Sequence, residues 1–192
     1  MLCVSCQEHL RHVPCRVERP LPLGFPAWAL GPYSDTRRSV IIAMKERGHQ
    51  AVRKHVGAVL AAGIEYLRAR GDIPETAVMV PAPTRMSSAR ERGGDPVTAM
   101  CEAAEERLPG WSTVVALATA ESSADQSDLT AGERADNMRA AVLLRPCAQQ
   151  LRGRAVLLVD DVVTTGATLR ASAARVRAVG GDVIGAIVLA DA

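Results

Sequence analysis

The stretch Val156-Leu157-Leu158-Val159-Asp160-Asp161-Val162-Val163-Thr164-Thr165-Gly166-Ala167-Thr168-Leu169 constrains the fold more than any other part of the chain. Four consecutive apolar residues read as a strand buried on both faces, and such strands belong to parallel sheets covered by helices. The acids then place two adjacent carboxylates at the strand tip. The Thr/Gly run that follows opens a helix, whose first backbone N–H groups form a cradle for a phosphate dianion with the hydroxyls of Thr164, Thr165 and Thr168. Gly166 lets the backbone approach the anion closely. The carboxylates cannot hold that phosphate, but they accept hydrogen bonds from ribose hydroxyls or offer oxygen ligands to Mg2+. The ligand expected from these residues is a sugar phosphate with vicinal hydroxyls.

Other origins for an apolar run ending in Asp-Asp fit less well. A Walker B strand needs a partner G-x-x-x-x-G-K-[ST], and Lys45 and Lys54, the only lysines, sit in no such sequence. A phosphoacceptor receiver places its acids near the first strand and a Lys late in the chain, whereas here no Lys follows the pair. An N-cap role accounts for one Asp but leaves the second, and the Thr-Thr-Gly-x-Thr run, without a purpose.

The rest of the pattern agrees with an α/β sheet. Val40, Ile41 and Met44, then Val52, Val56, Val59, Leu60, Ile64 and Leu67, recur at helical spacing, broken around Gly48 and ended near Gly71. Short aliphatic runs at 77–80, 113–117, 155–159 and 183–189 read as strands, with a weaker one at 141–144. Helical patterns lie between several of them, at 97–108 and 169–179. Pro20, Pro22, Pro26 and Pro32 make residues 20–32 a poor place for regular structure. The expected organisation is therefore an N-terminal arm and linker over 1–32 and a main domain over 33–192. In open α/β sheets ligands sit at the carboxyl ends of strands, which is where the acid pair falls.

Composition excludes several classes. With 192 residues, 48% hydrophobic and 23% charged, the chain is long enough for a real core, and no apolar run approaches the ~20 residues needed to cross a bilayer. The first 19 residues contain no apolar segment of the signal-peptide type, so a cytoplasmic location is expected, with no membrane partner. A net charge of +2 is no electrostatic footprint for nucleic acid, and direct nucleic-acid binding is the less favoured role. All but two of the 23 basic residues are Arg, a skew that a GC-rich genome explains better than phosphate binding does.

The segment 156–169 resembles the phosphoribosyl pyrophosphate (PRPP) signature of type I phosphoribosyltransferases. More narrowly, Tyr33, Lys45-Glu46-Arg47-Gly48, Val80-Pro81-Ala82-Pro83, Arg90-Glu91-Arg92-Gly93, Gln126 through Leu129, Arg134 and Asn137 are similar, in order, to the pattern of the ComF/GntX branch. The resemblance covers essentially the whole chain. It implies a Rossmann-like core with a mostly parallel sheet and a short cysteine-containing N-terminal arm. It also implies transfer of ribose 5-phosphate from PRPP to a nitrogen acceptor, with release of pyrophosphate and Mg2+ as cofactor. Asp160 and Asp161 are then the carboxylates at the ribose hydroxyls, and Val162, Val163, Thr164, Thr165, Gly166, Ala167 and Thr168 form the loop around the 5′-phosphate.

The remaining loops take roles from the same resemblance. Ala82, Pro83, Thr84, Arg85, Arg90 and Arg92 correspond to the pyrophosphate site, where Arg suits forked contacts with phosphate oxygens. A cis peptide is easier at Ala82-Pro83 than at a non-proline bond and is expected there. Gly94 stands where the family usually carries an aromatic residue. Residues 118–139 are small, polar and long for a connection. They correspond to the loop that closes over PRPP, with Gln126, Asn137 and a catalytic Arg134. The acceptor would lie under a hood built from residues before about 73, which hold no readable base-binding motif. A homodimer is compatible with the resemblance. A second class of function stays open beside the transferase: a non-catalytic PRPP-sensing or competence and DNA-uptake accessory protein of ComF type.

Five cysteines are present, of which Cys3, Cys6 and Cys15 cluster near the start. In a cytoplasmic chain this reads as metal or nothing rather than disulfide. With His9 or His12, the three thiolates are candidate ligands of a structural Zn2+, although a second C-x-x-C is missing.

Overall fold

The computed structural model describes residues 3–19, 22–45, 50–83, 94–120 and 141–192. In chain order these form helix α1 (Val4–His9), strands β1 (Cys15–Arg16) and β2 (Ala27–Ala29), and helices α2 (Asp35–Lys45) and α3 (Gln50–Ala69). Next come β3 (Val78–Pro81), α4 (Pro96–Glu105), β4 (Ser112–Thr113), β5 (Leu117–Thr119) and β6 (Val142–Leu144). A 3₁₀ turn (Pro146–Leu151), β7 (Ala155–Val163), α5 (Ala167–Ala178) and β8 (Asp182–Asp191) complete the order.

Six strands make one sheet in the order β1-β2-β8-β7-β3-β4, parallel throughout except where β1 meets β2. Strand alternation sends side chains to two separate cores. Met79, Leu157, Val159, Ile187 and Leu189 pack under the apolar faces of α2, α3 and α4. Val78, Val80, Val156, Leu158, Ala186 and Val188 pack under α5 and the β5–β6 ribbon. The α/β class with a mostly parallel sheet is thus observed. No helix among the described residues is long and apolar enough to cross a membrane.

Three expectations need correction. Residues 27–29, placed in a stretch expected to lack regular structure, form β2, which pairs with β8 through Ala27↔Ala186, Trp28↔Ile187 and Ala29↔Val188. The prolines do not obstruct it because they flank the strand: the Pro26 carbonyl accepts from the Ala186 N–H at 2.9 Å, and Pro32 makes only a bridge to Asp191. The run 113–117 is not one strand. After β4 the chain turns, with the Ala116 N–H bonded to the Val114 carbonyl at 2.8 Å, and leaves as β5 to pair antiparallel with β6 outside the main sheet. The Ala82–Pro83 peptide is trans. The Ala82 N–H donates to the Val159 carbonyl at 2.7 Å, so the extended chain of β3 continues past Pro81 without a reversal.

Candidate functional site

β7 runs on beyond its apolar core, and its two neighbours stop at different heights. Against β8 the ladder continues through Asp160↔Val188 and Val162↔Ala190 to Val163↔Asp191, whereas against β3 it ends at Pro81↔Val159. The acids therefore stand at the carboxyl end of the sheet, braced on one side and clear of β3 on the other.

The two carboxylates meet different neighbours while staying in contact with each other. Asp160 lines a cavity of about 40 Å³ with Val162, Val163, Thr164, Thr165, Gly166, Ala167, Thr168 and Leu169. Asp161 meets α2, where Lys45 Nζ lies 2.5 Å from its Oδ2. The backbone links the two acids again, since the Asp161 N–H donates to Asp160 Oδ1 at 2.8 Å. Burial, and then the charge of Asp161, push the Asp160 carboxyl up to about 8. Below that pH Asp160 is a neutral acid, able to donate one hydrogen bond and accept another.

The cradle has the local causes expected of it. Thr164 and Thr165 are exposed, Gly166 is buried with φ +74°, and α5 begins at Ala167. Thr165 Oγ1 accepts from the Ala167 N–H at 3.3 Å, and Arg170 Nη1 donates to the Thr165 carbonyl at 3.0 Å. Leu23 packs against Gly166 so closely that its side chain occupies the place a Cβ would take. Arg19 ties the ends of β7 and β8 together: its Nη2 donates to the Val163 carbonyl at 3.0 Å and pairs with Asp191.

Of the other residues singled out in the sequence, Ala82 and Pro83 lie beside the acid pair through the Val159 contact. The Pro83 carbonyl accepts from the Thr119 hydroxyl at 3.3 Å. The two chain segments that lead into 84–93 and 121–140 are thereby side by side, and the second is pinched at its base by the Ala120 N–H to Ala141 carbonyl bond of 2.7 Å. Thr84, Arg85, Arg90, Arg92, Gln126, Arg134 and Asn137 fall outside the described residues, as do Glu46, Arg47 and Gly48.

The cysteines do not assemble as a zinc site among the described residues. Cys3 caps α1, its Sγ accepting from the Cys6 N–H at 3.5 Å, and these hydrogen bonds lower the Cys3 thiol while raising that of Cys6. Cys15 instead donates to the Ala29 carbonyl at 3.6 Å from β1. No group of three or more His, Cys, Asp or Glu in the described part is placed to hold a metal, whereas structural zinc takes four ligands. The oxygen donors of Asp160 and Asp161 are of the kind that Mg2+ accepts, with Lys45 already bound to one of them.

Lys45 and Arg19 are the contributions not assigned from sequence. Lys45 was part of the ComF/GntX pattern but carried no role, and nothing local signals that α2 delivers it to a strand tip far along the chain.

Among curated proteins none matches the chain. A solved structure, orotate phosphoribosyltransferase of Mycobacterium tuberculosis H37Rv in complex with Fe(III) dicitrate, aligns with it at 23% identity and a TM-score of 0.41, covering 97% of this chain and 82% of that one. Residues 110–192, which hold β7, the acid pair and the whole cradle, match the family model of the phosphoribosyl transferase domain.

Proposed function

We propose that the protein binds PRPP and transfers its phosphoribosyl group to a nitrogen acceptor, releasing pyrophosphate. One observation carries the reading: Asp160 and the Thr164–Thr168 loop line the same cavity at the carboxyl end of β7. The loop takes the 5′-phosphate on its amides and hydroxyls. Asp160, neutral below about 8, bonds to the ribose hydroxyls as donor and acceptor together. Asp161 keeps a negative charge near the ring, which favours the positive charge that builds there as the bond to pyrophosphate breaks. Lys45 holds that carboxylate in place from α2. The oxygens of Asp161, and of Asp160 once it is ionised, would hold Mg2+, which would supply positive charge to offset that of the departing pyrophosphate.

The Arg85, Arg90 and Arg92 segment takes the pyrophosphate in this reading. The loop of residues 118–139, with Gln126, Arg134 and Asn137, covers the site during transfer in the same reading. Affiliation with the ComF/GntX branch belongs to the same proposal and is supported by Tyr33, Lys45 and the Val80–Pro83 run in the order that branch shows.

Isothermal titration with PRPP and Mg2+ tests the site, and a screen for acceptor-dependent pyrophosphate release tests transfer. Saturable PRPP binding with release from at least one base or amine is expected. Binding without release from any acceptor turns the reading into a PRPP sensor, and no binding at all removes it.

A further inference from the structure

A second cavity, of about 350 Å³, lies away from the acid pair, between the N-terminal segment and the end of α3. Because α3 leads back into the start of β3, its last turn sits beside the beginnings of the strands, whereas Asp160 and Asp161 stand beyond the middle of β7. The volume falls within the range of small-molecule sites.

Its floor is apolar and fixed. Trp28 is 4% exposed, held in the sheet between β1 and β8, and Leu67 and Pro14 complete the base. Its walls are cationic. Arg16 is the cross-strand partner of Trp28 in the β1–β2 pair, and its guanidinium lies 5.0 Å from the indole centroid. On the opposite wall, Arg70 lies 5.6 Å from the Tyr66 ring centroid and is already paired with Asp72, Nε to Oδ2, at 2.9 Å. Arg16 has no such counterion: among the described residues its only interaction is the stack on Trp28.

A guanidinium stacked on an indole keeps its planar edge of N–H donors free, and its plane is set in advance by the ring. That edge matches the two oxygens of a carboxylate. The lining carries two guanidiniums against one carboxylate, so a monoanion balances it, and the Trp28–Leu67–Pro14 floor calls for an apolar body behind the anion. We propose that this cavity is a binding site for a small monocarboxylate with an aromatic or alkyl body, anchored by Arg16 and independent of the sugar phosphate site.

Benzoate, hexanoate and the neutral isostere benzamide are suitable probes, with the indole N–H cross-peaks of Trp28 and Trp111 read by two-dimensional 1H–15N NMR. Benzoate is expected to move the Trp28 peak saturably with a Kd of about 1 mM, ordinary for so few atoms, while the Trp111 peak stays. Benzamide is expected to leave both in place. Arg16→Gln, on an exposed edge strand where folding does not depend on it, weakens benzoate at least about tenfold. Adding PRPP and Mg2+ leaves the Trp28 response unchanged, which keeps this test separate from that of the transferase reading. The proposal is overturned if neither carboxylate gives a saturable Trp28 shift, if benzamide binds as well as benzoate, or if Arg16→Gln binds benzoate as tightly as the wild type.

Discussion

Asp160 and Asp161 are neighbours in sequence but differ in chemistry, because Asp161 is ion-paired with Lys45 while Asp160 is held by burial and by the charge beside it. Asp161 is paired with Lys45 and carries the charge of the site. Asp161→Asn keeps its shape and removes that charge, and PRPP affinity by titration is expected to fall about tenfold or more, the scale of a lost charge-assisted hydrogen bond. Unchanged affinity would discredit the assignment of that carboxylate. Asp160 has a pH signature instead. Its carboxyl titrates at about 8 in the folded protein against 3.8 as a free group, so between these values the folded state holds a proton that the unfolded state has lost. Stability therefore falls as pH rises through this window. Asp160→Asn has no proton to lose, and its Tm relative to wild type is expected to climb as the pH is raised from about 5 to about 8. A constant difference over that range would contradict the burial of a charge at this position.

At the level of elements, two glycines are placed by contacts rather than by turns alone. Gly57 in the middle of α3 faces α4 so closely that a Cβ there would stand 2.5 Å from Ala103 Cβ and 2.9 Å from the Met100 carbonyl. Ala gains up to ~1 kcal/mol of helix propensity, but overpacking of this kind costs ~1–3 kcal/mol, so Gly57→Ala is expected to be net destabilising in urea unfolding. Gly166 combines φ +74° with Leu23 directly over the place of its missing Cβ. Gly166→Ala is expected to loosen the cradle, weakening ribose 5-phosphate binding by titration about tenfold and lowering Tm by a few degrees.

The sequence was most readable where structure and chemistry are both local. The strand, acids, Thr/Gly turn and helix of 156–169 are contiguous, so the site's centre could be found from residues alone. The helices at 40–67 announce themselves by periodicity. β2 was missed because three residues between prolines are too short to carry a pattern, and its identity comes from β8, far along the chain. The split of 113–117 had no signal either, since Val114 to Ala116 are as apolar as the residues around them and only the pairing with β6 decides where β5 begins. Lys45 and Arg19 reach the site by tertiary packing, which no spacing rule encodes.

At the scale of the molecule, Arg37 joins three parts of the chain that no single element spans. It is 1% exposed, and its guanidinium donates to the carbonyls of Leu189 at 3.1 Å, Leu30 at 2.5 Å and His9 at 3.3 Å, tying α2 to β8, to the residue that follows β2 and to the end of α1. Burial lowers its pKa, and no carboxylate appears among these partners. Gly31 must lack a side chain because the guanidinium fills that space. Arg37→Met of similar length strands three carbonyls and is expected to cost about 3 kcal/mol in chemical denaturation. Arg37→Lys is not expected to restore it, since one ammonium cannot reproduce the fork.

The pairing of Ala27 with Ala186 has a kinetic consequence. The chain from residue 27 to residue 186 must be looped out before these two meet, and such a contact is entropically late and slow to form. During synthesis β2 emerges before β8 and has to wait, unpaired, until residue 186 clears the ribosome. Chaperone dependence of the nascent chain should therefore persist until β8 has emerged and drop once it has paired with β2.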